Sequence, residues 1–268
     1  YVAEAYTGKD IYLGSKTIQV EEFMPDRIKV ELDLTNENFK IGDSIAGTIT
    51  ATNYFGPPAA NNNYETELTI NQGYFNPKNY NNYSFIQKNK MSYFDEYDNG
   101  VTDKNGQAKI NFNIPKKLKD NGILNGRIYT TVFDETGRPV HRSKRFKIST
   151  QDVFIGVANF DRWVNTKKPI EIPLIALNED EKTISKEVEI EVIQYSWHST
   201  LRYDNGRYRY VSEKETNSVS KENITINGES TKYYYTPKSS GSYEIIIRVP
   251  KTNICLLYTS PSPRDDIS

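Results

Sequence analysis

The aromatic residues between positions 195 and 210 have the types and the spacing that could bind a ligand. The stretch reads YSWHSTLRYDNGRYRY and places Trp197 and Tyr203 before an Asn-Gly pair, with Tyr208 and Tyr210 after it. An Asn-Gly pair between two such runs predicts a hairpin, so the four rings would lie on neighbouring strands. Aromatic faces can stack on sugar rings, which makes these residues candidates for a ligand-facing surface. Packing of the rings against one another across the hairpin explains the same pattern.

A second stretch, residues 95–106, concentrates carboxylates. It reads DEYDNGVTDKNG and holds Asp95, Glu96, Asp98 and Asp103, whose oxygens are of the kind that calcium prefers. The D-x-[DN]-x-[DN]-G spacing of a calcium loop is not met. We therefore predict a solvated loop and no metal site, with calcium binding as the alternative.

The other residues that could carry chemistry are dispersed. His141 and His198 are far apart in the sequence and neither has a ligand-spaced neighbour, so both are expected to be surface or strand histidines. Neither a G-x-S-x-G nucleophile motif nor a phosphate-binding glycine loop occurs. The sequence thus predicts a protein that is not an enzyme, with no catalytic residues, no cofactor and no metal.

Composition excludes two classes of partner. The chain has 268 residues and a formal net charge of -1, with Lys and Arg scattered among Asp and Glu. Without a basic stripe there is nothing to attract nucleic acid. No apolar run reaches the roughly 18 residues of a membrane span. The 20 Tyr and 11 Phe, against 2 Met, favour half-buried β-structure.

Alternation of apolar and polar residues dominates the chain and predicts the strands that must position these side chains. In RIKVELDL, Ile28, Val30, Leu32 and Leu34 share one face and charged residues take the other. Three more runs alternate in the same way, with the inward residues Ala108, Ile110, Phe112 and Ile114; Val188, Ile190 and Val192; and Tyr243, Ile245, Ile247 and Val249. Pro173 indicates an edge strand or a bulge. Apart from one short turn of helix near residues 116–122, the pattern predicts an all-β chain of tandem antiparallel, fibronectin-like sandwiches.

Breaks in this pattern predict the domain boundaries. Residues 1–23 run like the last strands of a domain whose beginning is missing. Residues 24–149 and 150–254 are each about one sandwich long. The Asn- and Tyr-rich residues 71–100 have no clear period and predict an enlarged connection in the first complete sandwich.

Several motifs in a fixed order resemble bacterial alpha-2-macroglobulins. They are V-E-E-F at Val20–Phe23, P-x-R-I-x-V at Pro25–Val30 and G-D-x-I-x-G-x-I at Gly42–Ile49. The family's A-x-Y-x-F-G-x-P corresponds to Ala51–Pro57, where this chain departs from it by placing Asn53 directly before Tyr54 and Phe55. Residues 102–115 are similar to a later strand pair of the same domain, and residues 155–215 to the next domain of that family, including its Y-S-W-H strand. The resemblance covers most of residues 1–250 and implies macroglobulin-type β-sandwich domains.

The NYFGPP segment within these motifs is expected to be a rigid corner rather than a site of chemistry. Tyr54 and Phe55 can close a strand end against the core, and Gly56 permits a positive φ. Pro57 and Pro58 then fix an extended exit from the corner.

The resemblance also implies features that this chain lacks. The family is known as protease traps, in which cleavage of a bait segment triggers a conformational change and, in many members, a thioester in a C-x-E-Q motif captures the protease. Cys255 is the only cysteine here and is followed by Leu-Leu-Tyr-Thr, so the thioester motif is absent. The bait segment would lie further along such chains.

The end of the chain, CLLYTSPSPRDDIS at residues 255–268, does not continue the strand pattern. Its first eleven residues resemble the translation of a transposon-end adapter used in DNA library preparation. We therefore predict a non-native tail that buries little, with a genuine flexible extension as the alternative. Cys255 would then be non-native as well.

The function that the resemblance implies is that of a scaffold. The chain would be a non-catalytic part of a bacterial alpha-2-macroglobulin-like protease-trapping inhibitor, in the periplasm or at the cell surface. Its partners would be proteases, as targets of the full-length protein, and neighbouring macroglobulin domains. The alternative is a cell-surface adhesin or a carbohydrate-binding array of β-sandwiches, in which Trp197, Tyr203, Tyr208 and Tyr210 would face the ligand.

Overall fold

The computed structural model describes residues 2–19, 26–87, 93–160, 166–228 and 230–260, with the backbone alone described for Thr259 and Ser260. Within these residues the chain forms eighteen strands and a single 3₁₀ turn at Lys116–Leu118. The predicted all-β architecture is confirmed, and so is the short helical turn. No helix in the described part of the chain is long and apolar enough to cross a membrane.

The N-terminal strands β1 (Val2–Tyr6) and β2 (Tyr12–Thr17) form an antiparallel hairpin of their own. Its side chains are almost all exposed, and Tyr6 packs edge-on against Tyr12 across the strands. The V-E-E-F motif at Val20–Phe23 lies outside the described residues.

The first sandwich comprises two sheets built from nearby strands. In chain order the next strands are β3 (Ile28–Leu34), β4 (Asn38–Lys40), β5 (Ser44–Asn53), β6 (Asn63–Gln72), β7 (Tyr83–Ser84), β8 (Phe94–Val101), β9 (Gln107–Asn113), β10 (Ile123–Phe133) and β11 (Pro139–Ser149). One sheet has the order β3-β5-β9 and the other the order β4-β11-β10-β6-β8. Strand β7 belongs to neither, because it pairs with the second sandwich.

The period of two accounts for the core of this sandwich. In β3 the buried residues are Ile28, Val30 and Leu32, while Lys29 and Glu31 are exposed. Strand β9 repeats the arrangement, with Ala108, Ile110 and Phe112 inward. Because successive strand side chains point to opposite faces, one face of each sheet meets the shared core. The inward faces predicted for these two strands are confirmed.

Replacing Leu32 by alanine should cost about 2–5 kcal/mol of unfolding free energy, because Leu32 is 4% exposed and its truncation leaves a cavity. Glu31→Ala, one residue earlier, should change stability by less than about 0.5 kcal/mol, because Glu31 faces water and its ion-pair partner Lys29 is exposed too. Urea unfolding of an alanine scan from Arg27 to Leu34 measures the contrast. Costly positions spaced three and four apart would contradict a strand here.

The second sandwich also has two sheets. Its strands are β12 (Phe154–Ala158), β13 (Ile170–Leu177), β14 (Lys186–Asp204), β15 (Arg207–Ile226), β16 (Thr231–Tyr235), β17 (Ser242–Arg248) and β18 (Cys255–Ser260). The sheet orders are β16-β13-β12-β7 and β15-β14-β17-β18. Both sheets contribute to one buried cluster, in which Val188, Ile190 and Val192 of β14 face Val157 and Leu174 of the other sheet's strands.

Two strands of this sandwich differ from what their sequence patterns predict. Strand β13 is not an edge strand, because β12 and β16 flank it. Pro173 fits there because the β12 pairing begins only at Leu174, so that Pro173 has a strand neighbour on the β16 side alone. Strand β17 is buried on both faces: Glu244 and Ile246 are buried as well as Ile245 and Ile247.

The prediction that the chain end buries little is wrong for residues 255–258. Strand β18 pairs antiparallel with β17, and Leu256 is 1% exposed within the second core. Without β18 the outer edge of β17 would have no strand partner on that side, and the apolar run Cys255–Tyr258 occupies the position. The resemblance to an adapter sequence concerns the origin of residues 255–265 and not their packing. A non-native origin of these residues stays a prediction. Residues 261–268 lie outside the described part.

The NYFGPP corner is a turn, as predicted, but its rings do not reach the core. Gly56 has φ 104°, and the N–H of Gly56 donates to the Asn53 carbonyl at 2.9 Å. Tyr54 and Phe55 are both exposed, Phe55 by 99%. The expectation that they close the strand end is therefore wrong: turn hydrogen bonds hold this corner, rather than aromatic packing.

Candidate functional site

The four candidate aromatic residues lie on a two-stranded ribbon at one end of the second sandwich. Strand β14 pairs with β17 only over residues 189–195, but with β15 as far as Asp204. Residues 196–204 and 207–215 therefore pair only with each other among the described residues. At roughly 3.3 Å per residue the ribbon extends about 30 Å past the β17 pairing.

All four rings share one face of this ribbon. The register places Tyr203 opposite Tyr208 and Leu201 opposite Tyr210, and Trp197 is two positions from Ser199 on the same face. All five of these apolar side chains are exposed. The rings of Tyr203 and Tyr208 pack on each other with centroids 4.9 Å apart. Cross-strand packing thus accounts for that pair, while Trp197 and Tyr210 present their faces to solvent.

The opposite face of the ribbon is charged and internally paired. Arg202 pairs with Glu213, and Arg209 pairs with Asp204. His198 is a histidine of strand β14, and its Nε2 lies 2.7 Å from Glu215 Oε2 on the neighbouring strand. This hydrogen bond lowers the pKa of Glu215. One side of the ribbon is therefore neutralised by ion pairs and the other is aromatic.

Tyr195 joins the aromatic face to the sheet. Its hydroxyl donates a hydrogen bond to the buried carboxylate of Glu244 on β17, and the ammonium of Lys214 lies 3.4 Å from the centre of its ring. The hydrogen bond to Glu244, with burial as the second cause, raises the pKa of Tyr195 to about 12. Sequence reasoning did not single out this residue, because nothing local indicates that Glu244 is buried.

Tyr195→Phe should lower the unfolding free energy at pH 7 by about 1–3 kcal/mol, because it leaves the buried Glu244 without its donor. The folded-state pKa is raised, so the wild-type contribution is complete below about pH 10 and is lost as the pH rises towards 12. Urea unfolding at pH 7 and at pH 9–12 measures both effects. Tyr208→Phe, at an exposed ring, is the control and should change neither; an equal loss in the two variants would contradict the role of Glu244.

The acidic segment does not gather its carboxylates at one point. The predicted solvated loop is wrong for residues 95–101, because they belong to strand β8 and pair with β6. Within this strand Asp98 accepts a hydrogen bond from Tyr64 at 3.4 Å. Asp103 Oδ1 caps the following turn by accepting from the N–H groups of Asn105 and Gln107, both at 2.8 Å. Among the described residues no group of three or more His, Cys, Asp and Glu side chains converges as a metal site.

His141 is held by its own sheet. Its Nδ1 lies 2.9 Å from the hydroxyl of Thr131, and its ring stacks on Tyr129 with centroids 5.3 Å apart. Both neighbours are on the adjacent strand β10, opposite or diagonal to His141. The arrangement is a cross-strand contact.

The junction between the sandwiches was not foreseen from the sequence. Between β6 and β8 the chain crosses to the second sandwich, where β7 pairs with β12 through Ser84 and Val157, and through Tyr83 and Ala158. The first sandwich thereby supplies the edge strand of a sheet in the second. A local signal existed in the run Tyr-Ser-Phe-Ile at residues 83–86, which is β-prone within an otherwise Asn-rich segment.

Aromatic packing closes this junction. Phe75 stacks on Phe154 with centroids 3.9 Å apart and meets Phe85 edge-on at 5.2 Å. Gly156 of β12 makes room for Phe85, because a Cβ there would lie 2.6 Å from the ring. The cluster combines two rings from the first sandwich's connection with one from β12.

Hydrogen bonds surround the aromatic cluster. Gln87 Nε2 donates to Gln151 Oε1 at 2.6 Å, and the Tyr258 hydroxyl donates to the Ser84 carbonyl at 2.6 Å. At the other side of the junction the N–H of Asn253 donates to Asp120 Oδ2 at 3.1 Å. The two sandwiches therefore share a strand, an aromatic cluster and several polar contacts.

Comparison with known proteins assigns both sandwiches. The model of the bacterial alpha-2-macroglobulin MG5 domain matches residues 26–149, and that of bacterial macroglobulin domain 6 matches residues 156–259. The alpha-2-macroglobulin of Rickettsia conorii is 26% identical over 251 residues, which cover 90% of this chain and 13% of that protein. That of Pasteurella multocida is 26% identical over 249 residues, covering 88% and 13%.

Solved structures agree on the fold. Escherichia coli alpha-2-macroglobulin activated by porcine elastase superimposes with a TM-score of 0.61 at 15% identity, covering 98% of this chain and 24% of that one. The native conformation of the E. coli protein gives 0.58 at 13% identity, covering 96% and 17%. The chain spans about 13% of the length of the curated relatives named above. The two consecutive domain matches and the named relatives show that this chain belongs to the bacterial alpha-2-macroglobulin family.

Proposed function

We propose that this chain is a non-catalytic scaffold within a protease-trapping inhibitor, and that its two sandwiches act as one rigid body. The observation that carries this proposal is the exchange of β7, which makes the second sandwich depend on the first for an edge strand. A trap that closes on a protease needs parts that keep their shape while others move. Two domains joined by a shared strand and a packed cluster of phenylalanine rings suit the part that keeps its shape.

The chemistry of capture would lie elsewhere in the full-length protein. This chain contains no C-x-E-Q thioester motif, and no bait segment is assigned to it. Relatives include alpha-2-macroglobulins whose structures were determined after activation by elastase or by trypsin. By analogy the targets of the full-length protein would be proteases, its intramolecular partners other macroglobulin domains, and its location the periplasm or the cell surface.

Rigidity is tested by measuring a distance between the two sandwiches. Spin labels at Lys109 on β9 and Glu187 on β14, both exposed, report it by pulsed electron resonance in a Cys255→Ser background. We expect one narrow distance distribution, and a broader one when Phe75→Ala weakens the ring cluster. A broad distribution in the parent chain would contradict the rigid scaffold.

Inhibition is tested separately with trypsin and elastase. The chain at equimolar ratio should leave cleavage of a large protein substrate unchanged, because a scaffold without bait or cage cannot enclose a protease. Stoichiometric loss of casein cleavage would overturn the scaffold assignment. A control protein of similar size that resists trypsin and elastase, added at the same concentration, corrects for any nonspecific effect of added protein.

A second candidate function follows from the aromatic face of the ribbon. Trp197 and Tyr210 are exposed on one face beside Tyr203 and Tyr208, as a carbohydrate-binding surface or an adhesin would present them. Binding to insoluble polysaccharides that is lost in Trp197→Ala would favour this function. If the parent chain and the Trp197→Ala variant are retained on the polysaccharides to the same extent, a carbohydrate-binding role of this face is excluded.

A further inference from the structure

A cavity of about 360 Å³ lies at the junction of the sandwiches, beside the shared strand β7. Its volume falls at the lower end of the roughly 300–1,000 Å³ typical of small-molecule sites. The walls come from the connection between β6 and β7, from residues around Gly122 and from β12. Both sandwiches therefore contribute to the same partly open cavity.

The apolar part of the lining is the phenylalanine cluster. Phe75, Phe85 and Phe154 all border the cavity, together with Tyr83 of β7. Stacking and edge-on contacts hold these rings to one another, so their orientation is set before any ligand arrives. Ordered aromatic faces of this kind suit a flat or ring-shaped molecule.

The polar part of the lining consists of side-chain amides and is uncharged. The exposed asparagines are Asn76, Asn81, Asn82 and Asn159. Each amide offers two donors and one acceptor oxygen, which suits hydroxyl groups. None of the described residues that line the cavity carries a charge, so the site has no side chain to pair with a phosphate, a carboxylate or an ammonium group.

Gln87 supplies a buried acceptor without a partner. Among the described residues, Gln87 Oε1 is the one buried polar side-chain atom that makes no hydrogen bond. The Gln87 side chain also lines the cavity. The amide cannot be reversed, because its Nε2 faces Gln151 Oε1, which already accepts from the N–H of Gly122 at 3.0 Å. Gln151 is fixed in turn by donating to the Val153 carbonyl at 2.7 Å. This oxygen is shielded even from a water-sized molecule, so Gln87 shapes the cavity wall through its hydrogen bond to Gln151 and does not bind the ligand directly.

We propose that this junction cavity binds a neutral saccharide of one or two rings. The sugar ring would pack on the phenylalanine cluster, and its hydroxyls would bond to the asparagine amides. The combination of aromatic faces and uncharged amides selects for a ligand rich in hydroxyl groups and free of charge. The inference is independent of protease trapping and goes beyond the scaffold proposal.

Titration of the whole chain with defined sugars tests the proposal. The neutral probes are glucose, galactose, N-acetylglucosamine and their β-linked disaccharides, and the charged probes are glucuronic acid and glucosamine. Saturation-transfer NMR and calorimetry should detect saturable binding of at least one neutral probe and none of the charged ones. Absence of saturable binding by every neutral probe would overturn the proposal.

Matched variants locate the site. Asn76→Ala with Asn82→Ala removes exposed amides without disturbing a buried group, and should weaken binding about fivefold or more. Gln87→Met removes the hydrogen bond that holds this wall to Gln151 and should weaken binding, with circular dichroism as the check on folding. Asn111→Ala, an exposed asparagine on β9, is the matched control and should bind as the parent chain does. Binding that survives the double variant, or that is lost in Trp197→Ala instead, would contradict this location.

Discussion

Phe154→Ala is expected to lower the unfolding free energy by about 3–5 kcal/mol, among the largest effects of any single substitution in this chain. Phe154 is 2% exposed and stacks on Phe75 at a centroid distance of 3.9 Å. Its removal leaves a cavity at the point where the two sandwiches meet, and it also removes an aromatic pair worth about 0.5–1.5 kcal/mol beyond burial. Urea unfolding followed by far-UV circular dichroism measures the loss.

Phe55→Ala is the matched control, since it makes the same chemical change at a residue that is 99% exposed. Its effect should stay within about 0.5 kcal/mol. Hydrogen exchange adds a second readout, because Phe154→Ala should reduce the protection of Ser84 and Val157 amides, which lie at the shared strand. Equal costs for the two phenylalanine variants would contradict a buried junction.

Deletion of residues 255–268 should destabilise the second sandwich by on the order of 5 kcal/mol, because it removes strand β18. Burial of a side chain such as Leu256 contributes about 1.5–3 kcal/mol, and the deletion also uncovers Ile247 beside it. The hydroxyl of Tyr258, which donates to Ser84, is lost as well, so the junction loosens together with the sheet. Urea unfolding of the truncated chain gives the size of the change.

Cys255→Ser in the full chain is the control for this deletion. Cys255 is half-buried, and its Sγ makes only a 4.0 Å contact with the Leu256 carbonyl, so the change in stability should be below about 1 kcal/mol. An unchanged unfolding midpoint in the truncated chain would mean that residues 255–260 do not pack as a strand. That outcome would restore the earlier expectation of a tail that buries little.

Local alternation was enough to predict several strands and their inward faces. Ile28, Val30 and Leu32 are buried where the period of two places them, and so are Val188, Ile190 and Val192. The reason is that successive side chains of any strand point to opposite faces, so the pattern along the chain already records which face meets the core. The order of short motifs, from Pro25 to Pro57, was likewise sufficient for the family.

The ribbon was predicted in part. An Asn-Gly pair indicated a hairpin, and the register then puts Trp197, Tyr203, Tyr208 and Tyr210 on one face. Sequence alone did not reveal that residues 196–215 extend beyond their sheet, because that depends on where the partner strand β17 ends. It also did not reveal Tyr195 on Glu244, since a glutamate in an alternating run is expected to face water.

Pairing between distant segments was decided only by the tertiary structure. Strand β7 lies in an Asn-rich connection of the first sandwich and completes a sheet of the second, and β18 covers the edge of β17. Neither partner can be identified from local pattern, because the backbone groups that pair are the same in every residue and only the packing of whole sheets selects among them. For the same reason Phe75 and Phe85, unremarkable in the sequence, form with Phe154 the contact that joins the domains.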